Sequence, residues 1–363
     1  MQEYDQSGKL APKIFSFFLK KVGKGRPFIL PTDVAKSSKL LFIDSGDVVD
    51  LLFAAPLINY FSRRYPDIRS MILVHDVDVE IVRGIMKIKK IITYERKQLR
   101  FYKADYLALI KKLRLERIDT VVVLTPRFSL ERYLLAFASG APIRIGFTHA
   151  FAFPFINCEI RLAESGYEGN KMVKLLRSIG LRPDEDWNLI NLSEREVSHA
   201  RQLIHFRKPE KEVLTVGLDP SRGKTKHFVI PEIIAYLANN LASRRKVKFL
   251  VLTNPWDEKL AQHFSITLKS EVIDLVPSNI SEAVALLSQC DLFLSGNTNL
   301  FHFAAALQVP TIGLFTKYDG VRWVPDSAPH VKIFKGTRGE KLSLKSFFTN
   351  VEEVLSIKNK VTV

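Results

Sequence analysis

The stretch Asp291–Pro325, DLFLSGNTNLFHFAAALQVPTIGLFTKYDGVRWVP, decides the fold. Leu292-Phe293-Leu294 reads as a strand, and Ser295–Asn299 as a polar break. A helix-compatible run follows at Leu300–Leu307, with three consecutive alanines and His302. Pro310 opens a second apolar run, Thr311–Phe315. Strand, tight turn, helix and strand make a βαβ unit. The small polar residues of the turn expose backbone N–H groups at a helix N-terminus, where the dipole favours an anion such as a phosphate. The same residues also suit a plain N-cap by Thr298 or Asn297 that binds nothing.

In its spacing the stretch resembles the ADP-heptose:lipopolysaccharide heptosyltransferase family. That family reads approximately D-[ST]-G-x-x-H-x-A-A-A-L-x-x-P-T, then L-F-G-x-T-D. The match covers His302, Ala304-Ala305-Ala306-Leu307, Pro310-Thr311, Leu314-Phe315 and Asp319. It departs at Asn297-Thr298-Asn299, where the family has Asp-Ser/Thr-Gly, and at Thr316, where it has glycine.

A chain of 363 residues suggests two domains, and 47% apolar with 25% charged residues is normal for a globular chain with a core. The net charge of +16 and pI near 9.7 favour an anionic partner: nucleic acid, acidic membrane or phosphorylated substrate. No zinc-finger spacing, RNA-binding aromatic signature or basic heptad region appears, so nucleic acid is not expected. Cys158 and Cys290 lie far apart in apolar settings and read as reduced thiols. The sequence shows no apolar span of membrane-crossing length and no secretory leader, so a cytoplasmic location is expected.

Four regions are predicted. Residues 1–37 form a basic arm, in which Pro12–Val22 sets phenylalanines beside lysines, with Lys24 and Arg26 following. Residues 12–26 suit the surface of an anionic membrane, or packing back onto the protein or a second subunit. Residues 38–185 form a first Rossmann-like domain opened by the strand Lys39–Asp44, the turn Ser45-Gly46-Asp47 and the helix Val48–Tyr65. The proline and acidic residues within 180–186 read as a linker. Residues 186–340 form a second Rossmann-like domain, and 341–363 hold a terminal helix. Strands are also expected at Ser70–Val74, Ile91–Thr93, Thr120–Leu124, Glu212–Leu218, Lys248–Leu252 and Val272–Leu275. Asp76-Val77-Asp78 has the form of a D-x-D metal motif but reads as helix capping; no metal or cofactor is expected.

The resemblance extends over about 38–325 and implies α/β architecture with two Rossmann-like domains facing a cleft, the GT-B glycosyltransferase fold. It implies inverting, metal-independent transfer of a heptose or related sugar from an ADP-sugar to a lipopolysaccharide-core or similar anionic glycolipid or glycan acceptor. The enzyme would then work at the inner face of the cytoplasmic membrane. The family's R-x-x-x-x-G-D-V-L-x-x-x-P, aligned on Pro56, puts the catalytic base at Asp50, the preferred reading; aligned on Gly46-Asp47, it puts it at the rival Asp47. Both aspartates also suit capping of the helix. The family's leading arginine falls on Asp44, and with the Pro56 alignment its glycine falls on Val49. Its K-x-W-P segment maps onto Lys226, Phe228 and the displaced Pro231. Ser221, Lys224 and Lys226 thus suit a diphosphate cradle, with the Thr298 and Asn299 amides at the phosphate and Asn297 near the donor sugar. His302 reads as structural. Arg127 and Arg132, before the family-like Ser139–Phe147, suit the acceptor. The departures also fit another class of protein, a heptosyltransferase-like subunit that kept the fold, lost the chemistry and acts as a scaffold.

Overall fold

The computed structural model describes residues 27–162, 166–182, 190, 192–207, 213–221, 231–253, 258–315, 320–325, 328–335 and 343–361. The chain divides into two compact units. One holds residues up to Glu164 together with Gly169–Trp187; the other holds Ser165–Glu168 and everything from Asn188 onward.

The first unit is a six-stranded, wholly parallel sheet. Its strands are β1 (Lys39–Ile43), β2 (Arg69–His75), β3 (Lys90–Tyr94), β4 (Thr120–Val123), β5 (Ile143–Phe147) and β6 (Cys158–Ile160). They lie in the order β3-β2-β1-β4-β5-β6. The order reverses between β1 and β4, which pair from Leu40↔Thr120 to Ile43↔Val123. Residues 40–43, 70–74, 120–123 and 143–147 are all buried, as expected of strands covered on both faces. The helix Val48–Arg64 begins at N-cap Asp47, whose side chain accepts from the Val49 amide. It buries an apolar face that includes Leu51, Leu52, Ile58 and Phe61.

The second unit is a five-stranded parallel sheet of β7 (Leu214–Asp219), β8 (Val247–Val251), β9 (Leu292–Ser295), β10 (Thr311–Phe315) and β11 (Val331–Lys335). The order is β11-β10-β9-β7-β8, reversing between β7 and β9. The run at 291–315 forms β9, the helix Asn299–Ala306 and β10, within a residue or so of the expected elements. The terminal helix Leu344–Val361 belongs to this core: Phe347, Val351 and Val354 bury against Phe334 and strand residues.

Three expectations change. Val272–Leu275 is no strand: Val272 makes an isolated bridge to Phe249, and the ladder stops where the Leu275 amide turns back to the Ile273 carbonyl at 2.9 Å. Strands β6 and β11 were not expected. The segment 165–168 sits in the second unit, where the Glu168 amide donates to the Arg322 carbonyl (2.9 Å) and Arg322 Nε donates to the Glu168 carboxylate. The arm 1–26 and the predicted linker residues 183–186 lie outside the described residues.

Gly313 of β10 shows how closely the second core is packed. A Cβ there would lie 2.6 Å from a Phe301 ring carbon, 2.8 Å from Phe315 and 2.9 Å from Ile333. Gly313→Ala is therefore expected to destabilise the protein by about 1–3 kcal/mol in urea denaturation. A loss below about 0.5 kcal/mol would contradict this packing account.

Candidate functional site

In open parallel sheets ligands bind beyond the carboxyl ends of strands, where the strand order reverses. Each unit carries a polar constellation there.

In the second unit, β7 and β9 end side by side, Asp219 opposite Ser295. Beyond Asp219, whose carboxylate accepts from the Ser221 amide at 2.9 Å, the Ser221 Oγ is buried with no hydrogen-bond partner among the described residues. Beyond Ser295 runs the turn Gly296-Asn297-Thr298. The Ser295 and Thr298 hydroxyls meet at 2.9 Å, and the Thr298 amide donates to the Gly296 carbonyl at 2.9 Å. Thr298 caps the helix Asn299–Ala306, its Oγ1 accepting from Phe301 N. The amides of Asn299 and Leu300 open that helix with no intrahelical acceptor. Asn299 Oδ1 is the second buried oxygen here without a partner among the described residues.

His302 Nε2 donates to Asn297 Oδ1 at 3.1 Å, and its ring lies 5.4 Å from those of Phe301 and Trp323. The buried histidine thus fixes the turn's asparagine. Ser221 follows β7, and Asn297, Thr298 and Asn299 follow the adjacent β9, so these residues lie at the same end of the sheet. The Thr298 amide is taken by the turn, so the helix-opening amides without an intrahelical acceptor are those of Asn299 and Leu300 rather than that of Thr298. Lys224 and Lys226 lie outside the described residues.

In the first unit, β1 ends in Asp44, fully buried. Its carboxylate accepts from the Tyr94 hydroxyl (2.8 and 2.9 Å) and from the His75 amide (3.1 Å). Arg132, in the first turn of the helix Leu130–Ala138 after β4, reaches across. Its Nε donates to the Asp44 carbonyl at 2.6 Å, its Nη2 donates to the Tyr94 hydroxyl at 2.8 Å, and Nη2 lies 3.4 Å from the carboxylate. Burial pushes the Asp44 carboxyl up, while the Arg132 charge, the Tyr94 hydroxyl and the His75 amide pull it back. Burial also raises the Tyr94 phenol, so the phenol stays protonated and donates.

The guanidinium also packs on Gly46. Gly46 has φ +75, and a Cβ there would sit 2.5 Å from Arg132 Nη2. Only glycine suits this position, in conformation and in space. The next residue, Asp47, caps the helix through Val49 N (3.0 Å), and half-buried Asp50 lies in the first turn. Arg132 is thus held inside the first unit rather than standing open for an acceptor, whereas Arg127 is exposed at the end of β4. Asp44 and Tyr94 were missed by the sequence reading. The available signal was a polar residue closing an apolar strand, in KLLFID and KIITY.

The fold has close relatives among solved structures. A glycosyltransferase of family 9 from Veillonella parvula superposes with a TM-score of 0.74 at 15% identity, covering 88% of this chain and 97% of that one. The Escherichia coli ADP-heptose LPS heptosyltransferase II gives 0.71 at 18% identity, covering 88% and 99%. The fold is that of a GT-B glycosyltransferase. In sequence, the Haemophilus influenzae lipopolysaccharide core heptosyltransferase OpsX is 24% identical over 305 residues, which is 81% of this chain and 83% of OpsX. The profile of Glycosyltransferase family 9 (heptosyltransferase) matches residues 106–347, and the chain belongs to that family.

Asp78, after β2, gives this constellation a pH signature. Burial, then the Asp44 charge, pushes its carboxyl from 3.8 up to about 6. A carboxyl raised on folding contributes stability below its unfolded pKa, and that contribution is lost as pH rises through its folded pKa. Asp78→Asn is therefore expected to match wild type near pH 4 and to exceed it by about 1–3 kcal/mol at pH 7.5. Urea denaturation across that range checks this; a difference independent of pH would count against the burial of Asp78 as the cause.

Proposed function

We propose that this heptosyltransferase-family chain moves a heptose from an ADP-sugar donor to a lipopolysaccharide-core acceptor, with inversion and without a metal. The observation that carries the donor half is the pair of buried oxygens, Ser221 Oγ and Asn299 Oδ1, without a partner among the described residues, on the loops after adjacent strands β7 and β9. A nucleotide diphosphate offers what such loops need. Its ribose and base bring donors for the two oxygens, and its phosphates take the Asn299 and Leu300 amides. Lys224 and Lys226 would balance the leaving diphosphate, as preorganised charge does elsewhere. The likeness to a protein named ADP-heptose heptosyltransferase supports adenine as the base and heptose as the sugar.

Asp47 is proposed as the base that takes the proton from the acceptor hydroxyl. The hydroxyl oxygen attacks the anomeric carbon, the bond from that carbon to the diphosphate oxygen breaks, and ADP leaves. One displacement from the opposite face inverts the centre. The choice of Asp47 over Asp50 rests on Gly46. The motif's glycine–aspartate pair needs a position where only glycine fits, and that is Gly46, since Val49 lies buried in the helix. Arg127, exposed at the end of β4, is proposed to meet an acceptor phosphate or carboxylate. Asn297 is held by His302, which supports an ordered turn at the proposed donor site without the family's carboxylate. The reaction is assigned to the cytoplasmic face of the inner membrane.

Two measurements test the reading. Titration calorimetry is expected to show micromolar ADP binding, UDP binding more weakly, and Ser221→Ala or Lys226→Ala costing about tenfold in affinity. Absence of any nucleotide binding would favour the scaffold reading. With ADP-heptose and a core acceptor, Asp47→Asn is expected to lower kcat about 10²–10⁴-fold at nearly constant ADP affinity. If Asp50→Asn causes that loss and Asp47→Asn does not, the base is Asp50.

A further inference from the structure

The helix Ala104–Leu115, with the turn before it, is built against the usual pattern. The stretch 95–117 reads ERKQLRFYKADYLALIKKLRLER, with eight lysines and arginines against three acidic residues. Tyr106, Leu109 and Leu113 bury the inner face in the first unit's core. The outer face is apolar too. Leu107 is 63% exposed and Leu115 73% exposed, with Tyr102 at 69% in the preceding turn. Leu107, Lys111 and Leu115 follow at intervals of four and share one face, between exposed Ala104 and Ala108. Lys112 and Arg114 border that face, and Lys103 stands at its start. Two of the acids are paired, Glu95 with Lys97 and Glu116 with Lys90.

We propose that this outward face docks on the surface of an anionic phospholipid bilayer. Leucines and a tyrosine between cationic side chains match the two layers they would meet, acyl chains at the headgroup boundary and phosphates above it. The basic rim also argues against a second copy of the chain. A two-fold contact through this face would bring like charges together. Nucleic acid would use the charges but leave both leucines in water. The inference is independent of the donor site and of the identity of the catalytic base.

Co-sedimentation of the full chain with vesicles of phosphatidylglycerol and phosphatidylethanolamine, against phosphatidylcholine alone, tests it. Wild type is expected on the anionic vesicles only, with binding weakened by salt. Lys111→Gln with Lys112→Gln is expected to lower the partition coefficient about thirtyfold at low salt. Leu107→Ser with Leu115→Ser is expected to lower it by about tenfold or more at unchanged charge. Melting temperatures close to wild type would show that both variants fold. A separate Leu115→Trp variant is expected to show blue-shifted emission on the anionic vesicles. Unchanged partition in both double variants, or sedimentation of Leu115→Trp without an emission shift, would overturn the proposal. So would failure of wild type to bind these vesicles while it binds a generic single-stranded RNA.

Discussion

A parallel sheet covered by helices on both faces accepts a charge at low cost only at the ends of its strands. Everything else in the strand is desolvated, and a lone polar group there costs kilocalories. Both units place polar residues at strand ends, and Arg144, a buried charge within β5, has its guanidinium bonded to the Ala141, Pro154 and Phe155 carbonyls. β1 is buried from Leu40 to Ile43 and ends at Asp44; β9 is buried throughout and opens into Gly296-Asn297-Thr298. The two sheets differ in strand order, yet each gathers its polar residues at its own point of reversal, β1 with β4 and β7 with β9. There the loops diverge and leave room for side chains.

The two strand-end constellations solve the same problem in opposite ways. In the first unit the polar groups satisfy one another. Asp44 is fully buried, and Tyr94, His75 and Arg132 supply its donors. A buried pair of this kind adds little net stability, but removing one partner leaves an uncompensated charge. Its effect is geometric: Arg132 ties the loop after β4 to the turn after β1 and presses on the backbone of Gly46, just ahead of Asp47. In the second unit the buried oxygens of Ser221 and Asn299 have no partner among the described residues, while the Ser295 and Thr298 hydroxyls bond within the turn itself. A closed network suits positioning, and an open one suits binding.

The departures from the family pattern look different once the chain is folded. Asp44 stands where the family has an arginine, and Arg132 brings a guanidinium to the same strand end from another loop. Asn297 stands where the family has a carboxylate, and it accepts from His302. In both places the substituted residue is held in a defined hydrogen-bonded setting of its own, Asp44 by Arg132 and Tyr94 and Asn297 by His302.

The sequence by itself determined the α/β class, the βαβ run at 291–315, most strands to within a residue or two, and the family. Those rest on local hydrophobic runs and on motif spacing, which a chain carries without its fold. The turn after β9 was legible for the same reason, since Asn297, Thr298 and Asn299 are contiguous. Strands β6 and β11 were not: one has three residues, and the other, VKIFK, is short and carries two lysines without a regular alternation. The partnership of Asp44, Tyr94 and Arg132 spans separations of 38, 50 and 88 residues, which no local pattern reports. The proposal of Asp47 over Asp50 rests on Gly46, whose φ and contact with Arg132 exist only in the fold. The helix Ala104–Leu115 gives the plainest case. Leucines 107, 109, 113 and 115 are alike in sequence, and only packing against the sheet sends two inward and leaves two in solvent.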